Sequence, residues 1–340
     1  RVVLREWMGE ALEKGREVLE EEGLSLDDTI AAHSIDTLTY ELDDDEQQRD
    51  NDGGDAGKGG DGAAPGVRIL SKGRYHVVAA KPPVVVCHHS SWTGTFKKNR
   101  ERRKKEPTPM LQRVRAAVGK KVNLIHRLDR SASGCLLFAY QHPDDRAADD
   151  DDDSGNNPTS QLISALQDPR AEKTYVALVH GNGYYNGTRL TERNWFTLSS
   201  PVKDENGRTV SSSITDVRFV SGPSTPHNIS IVLARPRTGR WHQIRQHLRA
   251  GTGHAILGDT VHGFTRTNRE WKEERGLLKE RTCLHLARIR IPKGVTEVLP
   301  EGLDVSCSLE RDMIDLMEGH VKDVLDEGLD VLRSEGVEIE

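Results

Sequence analysis

The chain has 340 residues, 35% hydrophobic, 5% aromatic and 30% charged, with 48 Lys plus Arg against 54 Asp plus Glu; that is sequence for one or two globular domains. No run approaches the ~18 consecutive apolar residues of a membrane-spanning helix, so no membrane span is expected. The formal charge of −6 hides an uneven distribution: residues 41–62 hold nine acids and two bases, residues 144–153 hold seven acids and one base, and everything else carries +7. A basic body points toward a polyanionic partner.

In chain order, residues 3–22 read as an amphipathic helix, with Leu4, Trp7, Met8, Ala11, Leu12, Val18 and Leu19 on one stripe. Residues 1–40 are therefore expected to be a helical extension and 41–65, rich in Gly and Asp, a flexible linker. Ordered structure is expected from Val67, where VRIL, a KG turn and YHVVAAK suggest two joined β runs, followed by the apolar run Val84–Val86. KKNRERRKK (97–105) is a dense run of bases, and Leu111–Val118 reads as a basic helix after Pro109. A strand is expected over Gly134–Tyr140, an acidic insert over 143–158, and a short helix over Ser160–Gln167. Strands follow at Thr174–Val179, Val210–Val220 and Ile229–Ala234, then a helix over Arg240–Arg249 and a strand over Cys283–Ile291. The main folded domain is placed at 66–295 and a helical tail at 296–340. Many strands with few interspersed helices favour an α+β fold on a mainly antiparallel sheet.

Cys87, Cys135, Cys283 and Cys307 are widely spaced, so neither a disulfide framework nor a zinc knuckle is expected, and a reducing intracellular compartment is. The sequence begins at Arg1, not Met, so the lack of a visible leader says little, and cytoplasm, nucleus and organelle stay open.

Three segments carry candidate chemistry. In HRLDRSASG, Asp129 lies between Arg127 and Arg130 just before small residues that can turn tightly; nearby cations favour an ionised acid, available as nucleophile or base. An Arg/Asp ion pair capping a turn would show the same pattern. In RPRTGRWHQIRQH, helical spacing puts His242, Arg245 and Arg249 on one face and Trp241, Ile244 and Leu248 on an adjacent apolar stripe. A metal pair is not expected: His242 and His247 would lie about 140° apart around a helix, whereas paired ligands need an i, i+4 spacing. In KTYVALVHG, a period-2 strand places Tyr175 among aliphatics, where a phenol is usually a core residue.

Together these segments resemble the RluA family of pseudouridine synthases. HRLDRSASG is similar to that family's HRLD-x-x-T-S-G motif, KTYVALVHG to its K-x-Y-x-A-x-V-x-G strand, and RTGRWHQIRQHL to its TGR-x-HQ-[IL]-R-x-H helix. KPPVVVCH and LHLARIRIP resemble its NKP-x-G-x-x-x-H and L-L-H-A segments, all in the family's order across Val67–Pro292. GHAILGDTVHGFTRTN (Gly253–Asn268) is most like the TruC branch, which modifies transfer RNA. Ala132 stands where Thr is usual, Ala80 where Asn is usual, and Pro83-Val84 replaces a common small-Gly turn.

The resemblance implies the pseudouridine synthase fold, with a catalytic cleft across the sheet, and isomerisation of uridine to pseudouridine in RNA without cofactor or metal. Transfer RNA is expected ahead of ribosomal RNA, the protein acting as a monomer. Asp129 would be the essential carboxylate, Arg245 would pair with it, and Tyr175 would pack on the flipped uracil and help deprotonate carbon 5. His126, Arg127, Leu128, Arg240, His242, Gln243 and Leu284 would support the site. Lys97, Lys98, Arg100, Arg102, Arg103, Lys104, Lys105 and Arg249 would contact RNA phosphates, offsetting the cost of base flipping. The competing reading is an RNA-binding protein that keeps this scaffold without turnover; a nucleotide hydrolase lacks a phosphate loop and a metal set.

Overall fold

The computed structural model describes residues 66–88, 107–141 and 157–339. The chain divides into two units, Arg1–Asp61 and Gly62–Glu340; the described residues all belong to the second. The expected N-terminal helix, the Gly/Asp linker, the basic run from Lys97 to Lys105 and the acidic insert up to residue 156 lie outside them.

The strands are β1 (Ile69–Lys72), β2 (His76–Lys81), β3 (Val122–Leu124), β4 (Ser133–Tyr140), β5 (Glu172–His180), β6 (Tyr184–Tyr185), β7 (Thr188–Arg189), β8 (Phe196–Leu198), β9 (Val202–Lys203), β10 (Thr209–Val210), β11 (Thr215–Ser221), β12 (Ile229–Pro236), β13 (Ala255–Ile256), β14 (Leu284–Ile291) and β15 (Leu303–Ser306). The helices are α1 (Met110–Val118), α2 (Pro158–Gln167), α3 (Gln243–Gln246), α4 (Thr265–Glu274), α5 (Arg311–His320) and α6 (Lys322–Ser334).

Eleven strands form one sheet along the path β1-β2-β4-β14-β5-β12-β11-β8, with β3 on β4, β13 on β5 and β15 on β14. Composition sorts the strands. β4 (SGCLLFAY) is buried at all eight positions, as befits a central strand covered on both faces, whereas β11 (TDVRFVS) begins with an alternation of buried and half-buried residues. The α2 helix packs on β4, and α6 on β11 and β12. The α+β architecture expected from the sequence is the one found, with antiparallel pairing throughout except where β14 meets β4.

That exception positions the site. β4 and β14 run parallel over only two pairs, His285 with Ser133 and Leu286 with Gly134, while β14 also pairs antiparallel with β5, setting Leu286 beside Tyr175. The HRLD segment enters the sheet at this junction. Gly134 is required there: its φ is 120°, and a Cβ would lie 2.3 Å from the Leu286 carbonyl oxygen.

The apolar run Val84–Val86 follows a turn at Pro83-Val84, with Val84 at φ 65°, a left-handed conformation that β-branched residues rarely adopt. Three expectations change. Val210–Val220 breaks into β10 and β11, because Ser213 turns its hydroxyl inward to donate to the Ser200 carbonyl. The Arg240–Arg249 helix starts only at Gln243, since His242 is left-handed (φ 49°), and it widens into a π turn over His247–Gly251. Residues 296–340 are no appended tail: β15 extends the main sheet through β14, and Leu303, Met313, Leu316, Met317, Val324 and Leu332 are part of the common core. Apolar residues at helical spacing in α5 and α6 can be covered only by docking on the sheet.

Candidate active site

Asp129 stands in a tight turn closed by the Ala132 N–H on its carbonyl (3.0 Å). The backbone around it is tethered by buried groups from distant segments. Lys81, at the end of β2 and fully buried, donates its ammonium to the carbonyls of Pro82 (3.0 Å), Arg130 (3.2 Å) and Ala132 (2.6 Å). Cys87 brackets Leu128, donating to its carbonyl (3.3 Å) and accepting from its N–H (3.4 Å). Arg281, also fully buried, donates to the Ser131 carbonyl (3.1 Å) and the Ser133 hydroxyl (2.8 Å) while its Nε holds Asp312 (2.9 Å). Burial works against the Lys81 charge and brings its pKa down to about 8; the three carbonyls supply the hydrogen bonds that a buried ammonium needs.

The second half of the site comes from the turn after β13 and from α3. Arg245 is buried and spends its planar fork on Asp259, Nε to Oδ2 and Nη2 to Oδ1, both 2.7 Å. Its remaining nitrogen, Nη1, donates to Asp129 Oδ2 at 2.7 Å. Asp259 also accepts from the N–H groups of Val261 (2.8 Å) and His262 (2.9 Å), and Asn268 ties that turn by accepting from Gly258 N and donating to the Asp259 carbonyl. Burial opposes both charges. In Arg245 the Asp259 hydrogen bonds and both aspartates outweigh it and raise the pKa; in Asp259 the Arg245 bonds outweigh it and lower the pKa. Charge-assisted bidentate geometry of this kind is strong and directional.

His242 Nε2 lies 3.8 Å from Asp129 Oδ2, and its Nδ1 is 3.1 Å from His262 Nε2. Burial is the main cause that brings the His242 pKa down to about 4, against the pull of Asp129, and burial also lowers that of His262, so both rings are neutral near pH 7. Tyr175 is buried on β5, and no hydrogen bond within the described residues uses its hydroxyl. Burial, then the nearby Asp129 charge, pushes its phenol well above the usual range.

Thus the structure brings Asp129, Arg245, His242 and Tyr175 together, and separates other candidates from them. Arg127 is exposed and Arg130 pairs with Glu280 at 3.1 Å, so the cation bonded to Asp129 is Arg245 and neither chain neighbour. Arg249 does not share the face of His242 and Arg245: it is exposed, with its guanidinium 4.4 Å from the Phe264 ring centroid, because the π turn rotates it out of register. Arg240 is engaged with Ser212. Gln243 is buried and braces α3 against Ile214 and Thr215. His126 accepts from the Leu137 N–H (3.2 Å) and is held neutral by burial, its pKa brought down to about 3. Leu284 is buried opposite Ala177. Asp259, Lys81 and Arg281 were not singled out from the sequence. Asp259 stands in the GD-x-x-HG segment, read only as a mark of the TruC branch. A charged residue at the end of an apolar strand, as Lys81 is after HVVAA, was the signal available for Lys81.

A model of the RNA pseudouridylate synthase family matches residues 75–143, which include the Asp129 turn. The tRNA pseudouridine synthase C of Vibrio cholerae is 27% identical over 250 residues, covering 67% of this chain and 88% of that protein. The protein of the same name from Pasteurella multocida is 24% identical over 262 residues, covering 74% and 95%. The solved human RNA pseudouridylate synthase domain containing 1 shares 21% identity, with a TM-score of 0.49 over 74% of this chain and 86% of that one. The matched segment holds the tethered Asp129 turn, and the two bacterial relatives are matched over most of their length.

Proposed function

We propose that this protein isomerises uridine to pseudouridine in transfer RNA, with Asp129 as the catalytic residue. The observation that carries the reading is the single guanidinium that binds a buried Asp259 through two nitrogens and presents its third to Asp129. The arrangement holds one carboxylate oxygen in place and leaves the Asp129 side chain 33% exposed toward a substrate; preorganisation of this kind lowers the cost of reaching a transition state.

In the reaction the bond between N1 and the ribose breaks, the uracil turns, and carbon 5 joins the ribose; the proton lost at carbon 5 is balanced by the one gained at N1. Atoms and electrons are conserved within the nucleoside, so no co-substrate enters the balance. The uridine must leave its stack to reach Asp129. Tyr175 fits the role of a wall against the flipped base with a hydroxyl free to donate. Its raised pKa disfavours the phenolate that proton removal from carbon 5 would need, so the phenol is assigned packing and hydrogen bonding. The transfer-RNA preference rests on the names of the bacterial relatives. The test is tritium release from transfer RNA transcripts labelled at uridine carbon 5: release by the wild-type chain and none by Asp129→Asn is expected, and release from ribosomal RNA alone would overturn the substrate assignment.

A further inference from the structure

Trp241 is the one large apolar residue of the expected helix stripe that did not go inside. Ile244 and Leu248 are buried in the core, whereas Trp241 is half-buried and does not pack against that core. The reason is local: the left-handed turn at His242 takes Trp241 out of helical register with the two residues it was expected to join. Its indole lies instead flat on the His242 ring, with centroids 3.7 Å apart and planes 19° apart. The His262 ring meets both edge-on, 5.8 Å from the indole and 5.2 Å from His242.

We infer that the Trp241 indole, backed by His242 and His262, is a stacking platform for a nucleobase next to the uridine held at Asp129. This rests on the uridine-isomerase reading and adds a binding subsite to it. Reach is the first support. His242 touches both the indole, at 3.7 Å between rings, and the neighbourhood of Asp129, at 3.8 Å, so one imidazole layer separates the platform from the reacting carboxylate. Rigidity is the second. The Trp241 carbonyl accepts from Gln246 Nε2 (2.9 Å), and that amide is itself paired with both backbone groups of Lys203 (2.8 Å each). A pre-set aromatic loses little freedom when a base stacks on it. Chemistry is the third: both imidazoles are neutral at pH 7 for the reasons given above, so the surface offered is aromatic, which suits any base. Beside His262 in the chain, Val261 is 58% exposed and adds an apolar rim. The position of Trp241 is the unspecified one in TGR-x-HQ, so the platform is a property of this chain rather than of the motif.

The test uses the Asp129→Asn protein, in which substrate is not consumed, and measures its affinity for unmodified transfer RNA transcripts and, in parallel, for a uridine-rich single-stranded RNA. Trp241→Leu keeps apolar bulk without an aromatic face, and Trp241→Phe keeps a face. We expect Leu to weaken binding roughly five- to hundredfold, the range found when a base loses an aromatic partner, and Phe to stay within about threefold. The slope of affinity against salt should be the same in all three, because stacking releases no counterions. Equal binding by the Leu and Phe variants, or no binding of either RNA by the parent protein, would overturn the platform. The isomerase reading fails separately, if the wild-type chain yields no pseudouridine while the Leu variant still loses affinity.

Discussion

Asp259 and Asp129 bond the same guanidinium, yet the segments that carry them are secured in different ways. The Asp259 turn is held through the carboxylate itself: its side chain is 1% exposed and takes two bonds from Arg245 and two from backbone N–H groups. The Asp129 turn is held through its backbone, by Lys81, Cys87 and Arg281, and its carboxylate takes one bond from Arg245 and none from its own loop. Where the side chain is the fastener it is saturated and has nothing left for chemistry. Where the main chain is fastened, the side chain is free to react. Asp259 is thus bonded on every side, whereas Asp129 keeps a carboxylate that is 33% exposed and open to a ligand.

The largest expected effect breaks the pair apart. Asp129→Asn should lower turnover by more than about a thousandfold while changing unfolding free energy by less than ~1 kcal/mol, since a half-exposed group with one partner is replaced by an isostere. Asp259→Asn should instead destabilise by about 3–5 kcal/mol, the usual cost of leaving one member of a buried ion pair alone. That loss should depend on pH with a defined sign. The Asp259 pKa is lowered in the folded protein, so its contribution is complete above the unfolded value near ~4 and fades as pH falls through the folded one. Urea melts of both variants across pH 2–7 check this, and a stable Asp259→Asn protein would abolish the distinction.

Next in size is Arg245→Lys. A lysine keeps the charge, but a single ammonium cannot present two parallel bonds to Asp259 and a third to Asp129. Turnover should fall about 10- to 100-fold, matching the loss of one charge-assisted bond of ~1.5–3 kcal/mol. Rates near wild type would mean that Arg245 supplies only positive potential.

How much of this was legible in the sequence follows from the same contrast. Asp129, Tyr175 and Arg245 stood in segments whose residue types and spacing survive on paper, and the antiparallel α+β sheet was visible as apolar runs broken by turns. The tethers were not visible. Lys81 reaches carbonyls some fifty positions away and Arg281 one some 150 positions away; a carbonyl is common to every residue, so nothing in the sequence marks these as partners. Arg245 bonds Asp129 as its segment suggests, but its two-nitrogen fork belongs to Asp259, whose nearest signal is a Gly-Asp turn. Helical periodicity also failed at His242, because periodicity presumes regular φ and ψ, and one left-handed residue resets the register.

The buried ammonium sharpens the contrast in the alkaline range. With a folded pKa of about 8 for Lys81 against ~10.4 unfolded, the unfolded chain binds the proton more tightly between these values. Stability contributed by this site should therefore rise with pH across that window, the same sign of slope as at Asp259 but in the alkaline instead of the acid range. Lys81→Met should remove that rise, read as the difference between wild-type and variant unfolding free energies from pH 7 to 10, and should loosen the Asp129 turn. A constant difference across the window would show that burial does not lower the Lys81 pKa.

The smallest effect concerns the turn that carries the chain from Lys81 to Cys87, two of the groups tethering the Asp129 loop. Val84 sits there at φ 65°, where L-residues with a branched Cβ meet the neighbouring carbonyl at a cost of roughly 1–2 kcal/mol. The site therefore keeps a strained residue where glycine would be relaxed. Val84→Gly removes that strain but loses part of a half-buried side chain and gives the unfolded chain more freedom, which offsets some of the gain. The net should be a stabilisation of about 0.5–1 kcal/mol, seen as a shift in the denaturation midpoint at unchanged slope. Since Lys81 and Cys87 keep their bonds to the loop, turnover should not move. A destabilised Val84→Gly protein would mean that the valine side chain, and not the backbone it strains, helps to fix the Asp129 turn.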